Sequence, residues 1–179
     1  MDISEIYGLA VSAHDRANKT YCAYSYELHL KGVMAACNKF ANLWFDEKQI
    51  MIVQAACACH DLIEDCRMNY NDVVSMLDSA GCYHESTEIA DIVYAVSNEL
   101  GKTRKERTQN TYPKIKENDL AIFVKLCDRI ANSLFSVYTS DPMFRVYALE
   151  FDEFERELRK EGQYTAMWEY LKGIYSAER

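Results

Sequence analysis

The chain has 179 residues, of which 49% are hydrophobic, and its formal net charge is −8. This length predicts one domain with a substantial core, and the acidic balance excludes a protein that wraps nucleic acid, which needs clustered basic charge. No apolar run approaches the roughly 20 residues of a membrane span, and the first ten residues, MDISEIYGLA, do not resemble a signal peptide. We therefore expect a soluble cytoplasmic protein with neither nucleic-acid nor membrane partners.

Apolar residues recur at helical spacing along most of the chain, and no alternating pattern of useful length predicts a strand. The clearest stripes predict helices over residues 3–17, 26–44, 50–64, 89–96, 120–134, 144–158 and 164–175. Turn residues cluster between them, and the basic segment 101–118, which contains Pro113, is predicted to be a loop. The expected fold class is all-α, a bundle of about seven to eight helices forming one domain over residues 1–179, with helices within 142–176 packing on the rest.

The apolar stripe of the third predicted helix turns polar at its C-terminal end. It consists of Ile50, Val53, Cys57, His60, Asp61 and Glu64. Asp61 and Asp65 are four residues apart, so they share one side of a helix, where like charges repel. Burying such a pair costs more still, and a bound divalent cation reverses the sign of that cost. The pattern therefore predicts a metal site.

Two other predicted helices supply groups that could complete this site. His29 lies on an apolar face, and Asp128 lies in the middle of the apolar segment FVKLCDRIAN. Each also has a purely structural interpretation, because a lone histidine can be a satisfied core residue and Asp128 could pair with Lys125 or Arg129. Two imidazoles and two carboxylates would suit Mn²⁺, Fe²⁺ or Zn²⁺ better than Ca²⁺ or Mg²⁺. Open positions on such an ion hold water, whose pKa the metal lowers.

The seven cysteines permit a rival site. Their number is odd and several have apolar neighbours, so reduced, buried thiols are expected. Cys57, Cys59 and Cys66 could bind structural zinc together with His60. Residues two apart point to different helix faces, which disfavours Cys57 and Cys59 as ligands of one ion.

A basic island interrupts the acidic chain within the sequence GKTRKERTQNTYPKIK. It could bind a small phosphorylated ligand, or it could be an ordinary solvated segment. Its cationic residues are Lys102, Arg104, Lys105, Arg107, Lys114 and Lys116.

Three motifs, in order, resemble the HD-domain phosphohydrolases of the RelA/SpoT type. His60-Asp61-Leu62-Ile63-Glu64-Asp65 is similar to the HDxxED motif of these (p)ppGpp hydrolases, and residues 125–132, KLCDRIAN, are similar to KLADRLxN. Tyr26 and His29 resemble the tyrosine and histidine of PYIxH. The resemblance covers about residues 10–140. Because no synthetase domain follows, the chain resembles a stand-alone small alarmone hydrolase, a group that includes the animal SpoT homologues.

The resemblance implies a role for each matching residue. The metal, usually Mn²⁺, would be held by His29, His60, Asp61 and Asp128. Glu64 and Asp65 would polarise and orient the attacking water. Substrate contacts would involve Tyr26, Lys19 at the base, Asn132 near the ribose, Lys102, Arg104, Lys105 and Arg107 at the phosphates, and Arg145 and Tyr147 closing the pocket. Tyr147 also belongs to an apolar stripe, which favours a core position for it.

The implied activity is removal of pyrophosphate from the 3′ position of a guanosine polyphosphate, with a small-molecule nucleotide as the partner. The segment around Lys19 departs from the family by one extra residue, which weakens the assignment of the base. One alternative keeps the metal site and makes the protein a phosphatase of NADPH or nucleoside monophosphates. A third possibility is a non-catalytic nucleotide-binding module, for which the Glu64–Asp65 pair would have no use.

Overall fold

The structure, a computed structural model, describes residues 1–177, so the last two residues of the predicted domain lie outside it. The described residues are mostly helical, which confirms the prediction of an all-α fold. A small antiparallel ribbon pairs β1 (Thr20–Tyr21) with β2 (Tyr24–Ser25). The helices are α1 (Ile3–Arg16), α2 (Glu27–Phe40), α3 (Glu47–Cys59), α4 (Leu62–Asp65), α5 (Tyr70–Ser79), α6 (Ser86–Val96), α7 (Arg104–Glu117), α8 (Asp119–Thr139), α9 (Met143–Leu158) and α10 (Thr165–Ser176), with a 3₁₀ turn at Ala41–Leu43.

Side-chain caps fix where three helices near the site begin. Asp46 forms a capping box with Gln49 at the start of α3. The Thr103 hydroxyl accepts from the Glu106 amide at the start of α7, and Asn118 accepts from two amides of α8. Each cap satisfies first-turn N–H groups that have no partner within the helix.

Residues 1–177 form more and shorter helices than the sequence predicts. The predicted helix over residues 50–64 ends at Cys59, and a separate turn of helix begins at Leu62. The prediction of a loop over 101–118 is wrong, because α7 occupies most of that segment with Pro113 inside it. One face of α7, formed by Thr111, Tyr112 and Ile115, is buried, and that tertiary packing outweighs the weak helical signal of a polar segment.

Helix α8 lies at the centre of the fold and contacts α2, α3, α6, α7, α9 and α10. It is therefore buried on most of its circumference, as its near-continuous apolar sequence requires. Its approach to α2 is close at Gly32, where a Cβ would lie 3.2 Å from the Ala131 Cβ. The missing side chain of Gly32 thus lets the two helices bring His29 and Asp128 to the same level.

Within residues 1–177, no helix combines the length and the apolar character that crossing a lipid bilayer requires.

Candidate active site

Four of the predicted side chains converge where α2, α8 and the α3–α4 junction meet. The Nε2 atoms of His29 and His60 lie 3.2 Å apart. The Asp61 Oδ2 lies 2.8 Å from the His60 Nε2 and 3.4 Å from the His29 Nε2. The Asp128 Oδ1 lies 3.5 Å from the His29 Nε2 and 3.8 Å from the His60 Nε2. Both histidines are almost fully buried.

Three of these five separations, 3.2, 3.4 and 3.5 Å, are close to those in the ligand shell of one divalent ion, and the other two, 2.8 and 3.8 Å, differ from that range by 0.4 Å or less. With metal–ligand bonds of about 2.1 Å, ligands at 90° to 109° lie about 3.0 to 3.4 Å apart. The buried group of His29, His60 and Asp128, whose ligand atoms all lie within 4.8 Å of one another, can therefore hold a divalent metal ion. The group contains no cysteine, and the Nε2 of His60 faces His29, so the rival site with Cys57, Cys59 and Cys66 has no support from this geometry.

The His60 ring is oriented by its second nitrogen. Its Nδ1 lies 2.9 Å from the Cys57 carbonyl, to which it donates, so the lone pair of the neutral ring is on Nε2 and points into the group. Metal-binding histidines are commonly held this way. The Nδ1 of His29 is buried and finds no hydrogen-bond partner among residues 1–177.

Charges in the group perturb one another strongly. Burial opposes a charge on His60, but Asp61 and Asp128 outweigh burial and raise the pKa of this imidazole to about 9. Burial also opposes ionisation of Asp61, yet the two histidines hold its pKa well below the usual range. The pKa of Asp128 is lowered too, since Lys125 and the histidines outweigh its burial. Both carboxylates are thus ionised at neutral pH.

Neighbouring side chains hold the two carboxylates in place. The Tyr26 hydroxyl donates to Asp61 Oδ2, and the Tyr26 ring stacks on His14 with centroids 4.2 Å apart. Asn132 donates to Asp128 Oδ1. Lys125 Nζ lies 3.0 Å from Asp128 Oδ2, so Asp128 does have the lysine partner that its structural interpretation required, in addition to its contacts with the histidines.

Glu64 and Asp65 lie beside this group, each held by a side chain. The Asn98 amide donates to both Glu64 carboxylate oxygens, at 2.9 and 3.0 Å. Asp65 Oδ1 forms an ion pair with Lys19 Nζ at 2.6 Å. Lys19, expected at the nucleotide base, thus contacts a proposed catalytic residue instead.

The convergent group opens into a polar cleft of about 220 Å³. Of the proposed phosphate-binding cations, Arg104 and Arg107 line it, whereas Lys102 and Lys105 are exposed outside it. The predicted site residues that line the cleft are Tyr26, His29, Asp61, Glu64, Asp65, Arg104, Arg107, Asp128, Asn132 and Tyr147.

Two assignments at α9 differ from expectation. Arg145 is exposed and lines a different cavity, between α9 and α10, so it does not close the cleft. Arg145 lies on the face of α9 that is directed toward α10. Tyr147 is half-buried and lines the cleft, where burial raises the pKa of its hydroxyl to about 12. The interpretation of Tyr147 as a core residue therefore describes only part of its surroundings.

Sequence reasoning missed several cleft residues. Tyr21 lines the cleft and donates to Asn132 Oδ1 at 2.7 Å. Asn98 also lines the cleft, where its amide donates to Glu64. Arg129 pairs with Glu150, not Asp128, at 3.1 Å. No local pattern signals that contact, because the two residues belong to different helices.

Comparison of the chain with models of known protein families and with curated protein sequences finds no match.

Proposed function

We propose that the chain is a metal-dependent phosphohydrolase that removes pyrophosphate from the 3′ position of (p)ppGpp, leaving GDP or GTP. The observation that carries the proposal is the convergence of two imidazoles and two carboxylates beside a cleft that Arg104 and Arg107 also line. Such a site combines ligands for a metal ion with cations for a polyphosphate. Mixed nitrogen and oxygen ligands suit Mn²⁺, Fe²⁺ and Zn²⁺, and we propose Mn²⁺ because the hydrolases that the three motifs resemble usually bind it.

A divalent ion held by His29, His60, Asp61 and Asp128 would acidify water and offset charge on the phosphoryl oxygens. Glu64 and Asp65 contribute what the ion does not, namely carboxylates that accept a proton at the cleft wall. Asn98 fixes the orientation of Glu64 through both carboxylate oxygens. Lys19 does the same for Asp65. Arg104 and Arg107 would bind phosphates and offset charge that develops on them.

Two side chains expected to contact the substrate are engaged elsewhere. Lys19 is engaged by Asp65, and Arg145 lies outside the cleft, so two of the expected substrate contacts are not available in this arrangement. The alternative function, a phosphatase acting on NADPH or nucleoside monophosphates, uses the same metal centre and does not need these two contacts.

One product analysis separates these functions. Mn²⁺-loaded protein would be incubated with ppGpp, pppGpp, NADPH and nucleoside monophosphates, and the products resolved by anion-exchange chromatography. GDP and pyrophosphate from ppGpp support the proposal, provided that Asp65→Asn abolishes them. Orthophosphate from another substrate, with ppGpp intact, moves the function to the alternative. Unchanged nucleotides throughout, with metal bound, would indicate the non-catalytic binding module.

A further inference from the structure

Two arginines from different helices converge on one carboxylate beside the cleft. Arg104 of α7 donates to Glu150 from Nε at 2.8 Å and from a terminal nitrogen at 3.1 Å. Arg129 of α8 donates to the same carboxylate at 3.1 Å. Glu150, on α9, is thus the meeting point of three helices, and its two partners carry one more charge than it neutralises.

The two guanidinium groups are held to different degrees. The Arg129 side chain is 7% exposed, and its guanidinium carbon lies 4.9 Å from the ring centroid of Tyr147 and 4.7 Å from that of Phe154. The Arg104 side chain is 47% exposed and lies 5.5 Å from the Tyr147 ring. Arg129 is therefore held by two aromatic rings as well as by Glu150, whereas Arg104 is more exposed and is held mainly by Glu150.

The contact has the form of anion recognition. A guanidinium binds a carboxylate and a phosphate with the same forked geometry, and it has five N–H donors, so each arginine keeps donors beyond those given to Glu150. Arg104 and Arg129 both line the cleft that contains the proposed metal ligands, as does Arg107. The carboxylate of Glu150 thus occupies donors that a phosphate group in the cleft would also engage.

We propose that the Arg104–Arg129 pair is a binding subsite for a phosphate or pyrophosphate group and that Glu150 is its internal competitor. An entering anion draws Arg104 away from Glu150, while Glu150 continues to neutralise the buried Arg129. If the pair binds substrate phosphates remote from the reacting bond, that role rests on the proposed function. As an anion site it stands on the contacts alone.

The test measures binding of inorganic pyrophosphate to metal-free protein by isothermal titration calorimetry. Because Glu150→Gln removes a competing charge, we expect pyrophosphate to bind roughly tenfold more tightly than to wild type, the equivalent of one charge-assisted hydrogen bond. Adding Arg104→Gln to that variant should abolish the gain. Glu153→Gln is the matched control, since Glu153 lies on the same helix and accepts from Gln109, and it should bind like wild type. Equal or weaker binding by Glu150→Gln would show that Glu150 only positions the arginines, and the proposal would be overturned.

Glu150→Gln leaves Arg129 buried without its ion pair, so this variant could fail to fold. A second variant covers that case. Glu150→Asp keeps the charge but is one methylene shorter, so we expect it to lose contact with at least one of the two guanidinium groups. We expect it to bind pyrophosphate more tightly than wild type, and unchanged affinity in this folded variant contradicts competition. The two proposals can fail separately. If the variants gain pyrophosphate affinity but wild-type protein leaves ppGpp intact, the proposed function is refuted and the anion subsite still stands.

Discussion

Asp128 and Arg129 are consecutive residues of α8, yet their side chains belong to two different parts of the cleft. Asp128 Oδ1 lies 3.5 Å from His29 Nε2, and Arg129 donates to Glu150 at 3.1 Å. Successive residues of a helix are rotated by about 100° about its axis. The Asp128 carboxylate is therefore directed toward α2 and α3, and the Arg129 guanidinium toward α7 and α9. The central helix thereby connects the proposed metal ligands to the proposed anion subsite.

Removing one proposed ligand should remove stabilisation by metal. Wild-type protein at an Mn²⁺ concentration 100 times its Kd should gain about 2.7 kcal/mol of unfolding free energy, or about 5 to 10 °C in Tm at this size. Asp128→Asn should lose this gain, as measured by thermal unfolding with and without Mn²⁺. Asp119→Asn, on the same helix and paired with Lys160 at the surface, should keep it. A full metal-dependent gain in Asp128→Asn would mean that Asp128 serves only as the ion-pair partner of Lys125.

Metal binding should displace a proton from His60. Its pKa of about 9 makes the metal-free imidazole charged at neutral pH, and a charged imidazole cannot be a ligand. Apparent metal affinity should therefore fall about tenfold for each pH unit below 9, until other ligands also titrate. Without metal, the charged form contributes stability that is fully present below about pH 6.5 and is lost as pH rises through about 9. Calorimetry in two buffers of different ionisation enthalpy measures the released proton, and a binding constant independent of pH between 6 and 8 contradicts the prediction.

The role proposed for Asp65 separates catalysis from metal binding. Asp65→Asn should lower kcat by at least about a hundredfold, because a positioned general base contributes about 10²- to 10⁴-fold. Its Mn²⁺-dependent gain in Tm should remain. Asp15→Asn, an exposed position on α1, is the control for both measurements. If Asp65→Asn loses the metal, Asp65 is a ligand and the assigned role is wrong.

The close approach of α2 to α8 should be sensitive to a single methyl group. In Gly32→Ala the new Cβ would meet the Ala131 Cβ at 3.2 Å and push His29 away from Asp128. We expect overpacking to cost about 1 to 3 kcal/mol of unfolding free energy, offset in part by the helix-interior preference for alanine of about 0.5 to 1 kcal/mol, together with weaker Mn²⁺ binding. Gly8→Ala is the matched control: this glycine is also helical, but a Cβ there meets nothing within 4 Å. It should stabilise the protein by about 0.5 to 1 kcal/mol, the helix-interior preference for alanine. Denaturant unfolding of both variants is the measurement, and equal effects would show that the α2–α8 packing is adaptable.

The sequence predicts most of the fold because apolar periodicity reports the faces that helices bury. It also indicates which polar groups meet, since His60 and Asp61 continue a buried stripe and Asp128 interrupts another. Helix α7 is different. Its composition is polar and it contains Pro113, so its helical state depends on the cap at Thr103 and on packing that only the tertiary structure supplies.

Contacts between distant surface residues could not be predicted. The pairing of Lys19 with Asp65 and that of Arg104 with Glu150 each join residues 46 positions apart, with no periodic signal to reveal them. The position of Arg145 depends on the rotation of α9 about its own axis, which motif order does not determine. The roles that the resemblance assigns to matching residues therefore stay predictions. The positions of those residues in the cleft are determined by how the helices pack.

The distribution of the proposed ligands along the chain has a consequence for the kinetic stability of the protein. His29 and His60 are 31 positions apart, and Asp128 comes from a third helix, so the ligands meet only after α2, α3 and α8 have docked. We expect this docking to be completed after the transition state of folding, and interactions that form so late slow unfolding and leave refolding unchanged. A bound ion should therefore lengthen the lifetime of the native state without accelerating its formation. Loss of the ion should make the chain more susceptible to degradation while its refolding rate stays the same.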